Sequence, residues 1–170
     1  KVILELFRGP VIVDADGINV LAPHKDILRE RIGPVILTPH AGEFVRLAGS
    51  LGADREADAI ALAQERNAVV LLKGHETVVT DGTVVYVNHT GNPGMATGGS
   101  GDVLAGVIVS LLGQKVEPLL AAADTAVEIG PELARHMGDT TNPQGVFCIA
   151  KALDNRLFSR LFYRIFLCFT

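Results

Sequence analysis

The chain has little with which to staple itself, stack on bases or cross a bilayer. Its two cysteines, Cys148 and Cys168, have no metal-ligand spacing and form no evident disulfide framework. A reducing compartment, the cytoplasm, is therefore expected. Aromatic residues make up only 5% and the formal charge is −4, with no basic stripe and no aromatic cluster for bases to stack on. No nucleic-acid partner is expected. The longest apolar stretch, Val103–Leu112, is interrupted by Gly106 and Ser110. It is too short to span a bilayer and reads as a buried helix, so no membrane partner is expected. No signal-peptide pattern, internal repeat or low-complexity linker is visible.

What is present suits one compact domain with a real core: 170 residues, 48% hydrophobic and 20% charged. Val11–Asp14, Pro34–Thr38 and Ala68–Lys73 are short apolar runs that each end in polar residues, and read as buried strands. Ile18–Leu21 and Ile27–Ile32 suggest short helical pieces around Pro23. Glu43–Ala48 opens a helix, and Asp54–Arg66 has partial helical periodicity with Asn67 as its stop. Thr77–Thr80 and Val84–Val87 alternate around Asp81-Gly82, a hairpin signal. A helix is expected over 102–113. Another is expected over Pro118–Met137, broken or kinked at Gly130-Pro131. Apolar strands separated by helices predict a parallel sheet covered on both faces. Asp14, Asp16, Thr38, His40 and Lys73 then share the carboxyl rim of that sheet, where open α/β sheets bind ligands.

The most informative run is Asn88–Asp102, whose glycines at 94, 98, 99 and 101 precede the apolar helix. A glycine-rich loop opening a helix is an anion site, because main-chain N–H groups and the positive end of the helix dipole point at the ligand. Asp102, where loop becomes helix, would lie beside a bound phosphate and could take a proton from an attacking hydroxyl. Alone, the run reads equally as a tight turn with an acid at the helix start. The other constellations are as open. Val13–Asn19 is either a polar rim for a substrate or hydrated cation, or turn chemistry. Leu37–Phe44 offers His40 as a proton shuttle or ligand contact, or as an exposed loop residue, with Glu43 favouring a helix N-terminus. Leu72–Thr77 offers Lys73 to a nucleotide phosphate, or as an ordinary snorkelling lysine.

The tail differs in kind. Arg156, Arg160 and Arg164 recur every fourth residue, as do Phe158, Phe162 and Phe166, about 200° away around a helix. It reads as an interfacial amphipathic helix, as a packing helix, or as a segment foreign to this fold.

Taken together, Val-Asp-Ala-Asp-Gly-Ile-Asn at 13–19, Leu-Thr-Pro-His-Ala-Gly-Glu-Phe at 37–44, Leu-Lys-Gly-His-Glu-Thr at 72–77 and Asn-Pro-Gly-Met-Ala-Thr-Gly-Gly-Ser-Gly-Asp at 92–102 resemble the ADP/ATP-dependent NAD(P)H-hydrate dehydratase family of the ribokinase-like superfamily. The match runs from about Val11 to about Gln114. The resemblance implies a three-layer α/β/α sandwich with a mostly parallel sheet, incomplete at its N-terminus. It implies nucleotide-dependent repair of NADHX and NADPHX, with ADP or ATP as phosphoryl donor and Mg2+ accompanying the nucleotide. It also implies a homo-oligomer. A ribokinase-like vitamin-precursor kinase or an inactive fragment is the alternative.

Carried over by position, the resemblance makes Asp102 the catalytic base, also touching substrate. The nucleotide-binding residues would be Lys73, Gly74, His75, Glu76 and Thr77 together with Asn92, Pro93, Gly94, Met95, Ala96, Thr97, Gly98, Gly99, Ser100 and Gly101. Thr38, Pro39, His40, Ala41, Gly42, Glu43 and Phe44, with Asp16 and Asn19, would bind substrate. No protein-held metal site is implied. The family carries about a hundred further residues, half a domain, before Val11. Without them a sheet edge and an apolar surface are expected to be exposed. The family places a His-Gly pair where this chain reads Glu128-Ile-Gly-Pro131, and nothing recognisable corresponds to Asn142 onward. The expected organisation is therefore residues 1–153 as the C-terminal part of such a domain and residues 154–170 as an atypical tail.

Overall fold

A computed structural model describes residues 2–24, 26–90, 96 and 98–129. In chain order the elements are α1 (Val2–Leu6), β1 (Val11–Val13), α2 (Asp16–Leu21), β2 (Val35–Leu37), α3 (Ala41–Ala48), α4 (Arg55–Arg66), β3 (Val69–Leu72), β4 (Thr77–Thr80), β5 (Val85–Asn88), α5 (Ser100–Gly113) and α6 (Pro118–Asp124). A π-turn over Thr125–Ile129 follows α6 directly. The sheet runs β1-β2-β3-β4-β5. Its first three strands are parallel, with Val13 beside Leu37 and Leu37 beside Val70. The β4–β5 hairpin adds on antiparallel, with Leu72 beside Val78. The sheet is thus mixed: a parallel half that builds the carboxyl rim and an antiparallel half that extends it.

Alternation along these strands makes two cores from one sheet, since successive side chains point to opposite faces. Val13, Val35, Leu37, Val70, Leu72 and Val78 face Ile18, Leu21, Phe44, Leu47, Ala59 and Leu62 of α2, α3 and α4. Ile36, Val69, Leu71 and Val79 face Ile108, Leu111, Leu112, Leu119 and Ala122 of α5 and α6. Helices therefore cover both faces, which is the expected three-layer arrangement. Each fully buried aliphatic side chain here contributes about 1.5–3 kcal/mol.

Local chemistry fixes the connections. In the hairpin loop the Asp81 carboxylate accepts from Thr83 N, Val84 N and the Thr83 hydroxyl at 2.8, 2.9 and 2.7 Å. These bonds, led by the Val84 amide, hold Asp81 below the usual aspartate range. Gly82, at φ +94°, seats the turn against α4, where Gln64 Nε2 donates to its carbonyl at 2.6 Å; a Cβ there would lie 2.7 Å from Gln64 Cγ.

Two expectations are corrected. Ile27–Ile32 is not helical: Asp26–Glu30 forms turns, closed by Arg29 N to Asp26 O and Arg31 N to Leu28 O. Within that segment Leu28 is the one buried apolar anchor, too little for a helical stripe. Pro34 also drives Gly33 away from helical backbone. The helix beginning at Pro118 changes form at Thr125, ahead of Gly130. There the Thr125 hydroxyl donates back to Ala121 O at 2.7 Å and Asn88 Nδ2, at the end of β5, donates to Ala126 O at 2.7 Å. The expected break at Gly130-Pro131 lies outside the described residues, as do Cys148, Cys168 and the tail.

Candidate active site

The parallel strands bring three loops to one rim. The ladder continues past their ends: Thr38 N donates to Val13 O at 3.2 Å and Lys73 N to Pro39 O at 2.8 Å. Lys73 Nζ meets Asp14 Oδ1 at 2.8 Å and stands 4.0 Å from Glu43 Oε2. These side chains are 25%, 18% and 7% exposed, so the cluster is shielded but not sealed. One cation between two carboxylates at such depth is held strongly, and removing it would leave Asp14 without its cation and Glu43 with only its contacts to His40 among the described residues.

Helix α5 descends onto this cluster. A Cβ on Gly101 would lie 3.4 Å from Asp14 Oδ2 and 3.7 Å from Lys73 Nζ, so the helix's first turn faces the ion pair across about the width of a methyl group. Gly99 is the N-cap at φ +89°, a left-handed conformation that glycine adopts without strain. It has no side chain with which to cap α5. By contrast, His40, Asp54 and Glu117 cap α3, α4 and α6 with theirs. Among the described residues nothing lies within 4 Å of where a Cβ of Gly98 or Gly99 would be. A glycine-floored helix start without a side-chain cap, beside a lysine, is an arrangement that takes an anion. Asp102, the third residue of α5, is exposed and has no hydrogen bond or ion pair among the described residues. Among the described residues its carboxylate is thus committed to no structural contact.

The segment around His40 has a double character. His40 Nδ1 accepts from Gly42 N at 3.0 Å and Glu43 N at 3.3 Å, while Glu43 Oε2 accepts from His40 N at 2.8 Å. This reciprocal capping box starts α3 two residues earlier than the apolar pattern suggests. It also demands that the ring proton sit on Nε2, 3.4 Å from Glu43 Oε1. His40, Ala41 and Gly42 are exposed. Thr38, Pro39 and Phe44 are not: Thr38 and Phe44 are fully buried, with Phe44 in the core under α3. The Phe44 side chain packs there.

Asp16 and Asn19 do not join the Lys73 cluster. Asn19 bridges Asp16 Oδ1, at 3.3 Å, and Arg46 Nη1, at 3.1 Å, in an exposed chain between α2 and α3. The acid that reaches the cluster is Asp14, immediately after β1. Sequence reasoning saw Asp14 at the strand end but assigned the motif to its neighbours. The usable signal was position: the first residue beyond a parallel strand stands on the rim.

The 73–77 loop is bent sharply, with Gly74 at φ +144° and Glu76 at φ +52°. The Thr77 hydroxyl donates to Gly74 O at 2.9 Å. His75 is exposed, and Glu76 Oε1 lies 3.3 Å from His89 Nδ1. An open cavity of about 430 Å3 lies beside the loop, lined by Asp54, Arg55, Glu76, Val78 and Val87. It includes none of Asp14, Glu43, Lys73 or Asp102, so it adjoins the ion-pair cluster without containing it. Asn92, Pro93, Gly94, Met95 and Thr97 lie outside the described residues; Ala96 is exposed. Among the described residues no three His, Cys, Asp or Glu side chains are grouped to hold a metal ion. None of their helices is long and apolar enough to cross a membrane.

The chain is similar to several known proteins. The profile of the NAD(P)H-hydrate dehydratase family matches residues 3–151. The bifunctional NAD(P)H-hydrate repair enzyme Nnr of Moorella thermoacetica is 46% identical over 147 residues, which is 81% of this chain and 28% of that protein. The ADP/ATP-dependent NAD(P)H-hydrate dehydratase of Bacillus subtilis, co-crystallised with ATP/Mg2+, superposes with a TM-score of 0.72 at 31% identity, covering 89% of this chain and 55% of that one. A ribokinase-like superfamily protein of Enterococcus faecalis superposes at 0.67 with 26% identity, covering 90% and 52%. The chain thus spans about a quarter of its bifunctional relative and about half of the solved structures. With a ribokinase-like sandwich and the family profile matched over residues 3–151, the chain belongs to the NAD(P)H-hydrate dehydratase family.

Proposed function

We propose that this chain carries the nucleotide and catalytic half of a cytoplasmic enzyme that dehydrates NADHX and NADPHX back to NADH and NADPH, with ADP or ATP as phosphoryl donor. The observation that carries this reading is the start of α5: glycine-floored, without a side-chain cap, and facing the Asp14–Lys73 pair. The terminal phosphate of the nucleotide docks on the Gly98–Gly101 backbone. Lys73 offsets its charge. Asp102, which has no partner among the described residues, takes the proton from the ring hydroxyl of the hydrate. The hydroxyl oxygen then bonds to the terminal phosphorus as the bond to the nucleotide breaks. The C–O bond cleaves next, pushed by the ring nitrogen lone pair, and phosphate leaves; the neighbouring carbon then gives a proton to water, and the C–H electron pair becomes the ring C=C bond and returns the lone pair to nitrogen. Positioning and charge stabilisation account for most of such a transfer. The exposed start of α3, His40–Gly42, borders the hydrate's side of the rim.

The donor set suits magnesium held chiefly by the nucleotide: with no cluster of three protein ligands among the described residues, the Asp14 and Glu43 carboxylates beside Lys73 are the acids that could assist. When bound, the ion neutralises the phosphate oxygens as charge builds up on the leaving nucleotide. The test is incubation with NADHX and ADP or ATP, following recovery of absorbance at the NADH band. Recovery that needs the nucleotide supports the reading. Nucleotide consumption on a vitamin-precursor alcohol with no recovery from NADHX would replace it with a kinase.

A further inference from the structure

Arg55 stands where a cation is unwelcome. It is the first residue of α4, at the positive end of the helix dipole, behind an N-cap in which Asp54 Oδ1 accepts from Ala57 N at 3.0 Å. Its Nε is buried without a protein partner among the described residues, a further cost. What the guanidinium does is local. Nη2 donates to Leu72 O at 3.4 Å and to Lys73 O at 3.3 Å, where β3 leaves the sheet. Directly beneath it Gly74 sits at φ +144°; a Cβ there would lie 3.1 Å from Nη2 and 3.6 Å from Cζ. The far side of the same loop is closed by Thr77, whose hydroxyl donates to Gly74 O. The loop is thus gripped at both ends by side chains, with Lys73 reaching from its first residue to Asp14 and the start of α5.

We propose that Arg55 is a positioning residue for the phosphate site: it clamps the backbone of Lys73 and Gly74 and so sets where the Lys73 ammonium stands. This rests on the nucleotide-binding role proposed above, and goes beyond it by bringing in a residue of α4, an element that none of the four motifs includes. Both carbonyls accept from the one Nη2, and Nη2, Cζ and Nη1 all lie within 3.6 Å of where a Gly74 Cβ would be, a broad contact that a compact ammonium does not reproduce. Arg55 also lines the open cavity of about 430 Å3, so a small guanidinium can enter from solvent once the side chain is removed.

The experiment uses the parent chain and Arg55→Ala. Hydrogen exchange without ligand reads the clamp, and calorimetric titration with ADP and ATP, with and without ethylguanidinium, reads its consequence. Exchange over residues 73–77 should quicken selectively in Arg55→Ala while the amides of β1 and β2 keep their protection. Nucleotide affinity should fall about tenfold, the scale of one lost charge-assisted contact. Ethylguanidinium should restore it and ethylammonium should not. Unaltered exchange over 73–77, or affinity within twofold of the parent, overturns the role of Arg55 while the nucleotide reading stands. If the parent itself binds no nucleotide, the functional reading falls and takes this role with it; quickened exchange would then mark a structural clamp only.

Discussion

Lys73 is the residue on which the site's charge balance turns. Its ammonium is paired with Asp14 and overlooked by Glu43, so it is held in place before any ligand arrives. Replacing Lys73 by Ala should therefore do more than remove an attraction. It exposes an arriving phosphate to two carboxylates that have lost their shared cation, and titration calorimetry should record a loss of about tenfold or more in nucleotide affinity. Adding Asp14→Asn to that variant should recover part of the loss, since one repelling charge is gone; a double variant no better than the single would remove Asp14 from the site. Lys73 was legible in the sequence because it ends an otherwise apolar strand. Asp14 was half legible, since two acids and an asparagine follow one strand and only the backbone decides which of them faces inward. Arg55 was not legible at all: it acts on main-chain carbonyls, and no residue pattern records where a carbonyl of another element will lie.

At the scale of elements, α3 and the β4–β5 hairpin are set by single side chains. His40 caps α3 through Nδ1. Asparagine is a good cap and alanine is not, so His40→Ala should cost about 1 kcal/mol in urea unfolding and His40→Asn a few tenths. Equal losses would mean that the cap contributes nothing. Asp81 governs the hairpin loop, and its folded-state pKa is depressed by the bonds it accepts from Val84 and Thr83. A depressed pKa stabilises the fold above the unfolded value, about 3.9, and that contribution vanishes as pH falls through the folded one. Asp81→Asn mimics the protonated acid. Its stability deficit relative to the parent should thus be constant from pH 7 to about pH 5 and shrink as the pH falls below about 4; a deficit unchanged down to pH 3 would contradict this. The hairpin was readable because Asp-Gly sat between alternating apolar runs. The turns at Asp26–Glu30 and the π-turn at Thr125 were not, because Leu28 and Asn88 act there through tertiary contacts that periodicity does not encode.

For the whole molecule, one sheet sorts its side chains into two cores, and its parallel half lines up the ends of β1, β2 and β3. That arrangement was legible because the strands are apolar on both faces. β1 is an outer strand of the described sheet; Leu6 and Phe7, just before it in the chain, and Ile32, just before β2, are 75%, 52% and 77% exposed. The activity of the whole family therefore has to be tested on this chain in two steps, grip and chemistry. For the chemistry, Asp102→Asn should abolish NADHX-dependent recovery of the NADH band while leaving nucleotide affinity within a few-fold, as expected of a proton acceptor rather than a binding group. Unchanged turnover would remove Asp102 from the mechanism.

The grip is the claim on which the rest stands, and amide NMR of the chain titrated with ADP reads it directly. The account predicts the largest shifts at Gly98, Gly99, Ser100 and Gly101, with a second group at Lys73–Thr77. Saturating ADP that leaves the amides at the start of α5 unmoved would contradict it.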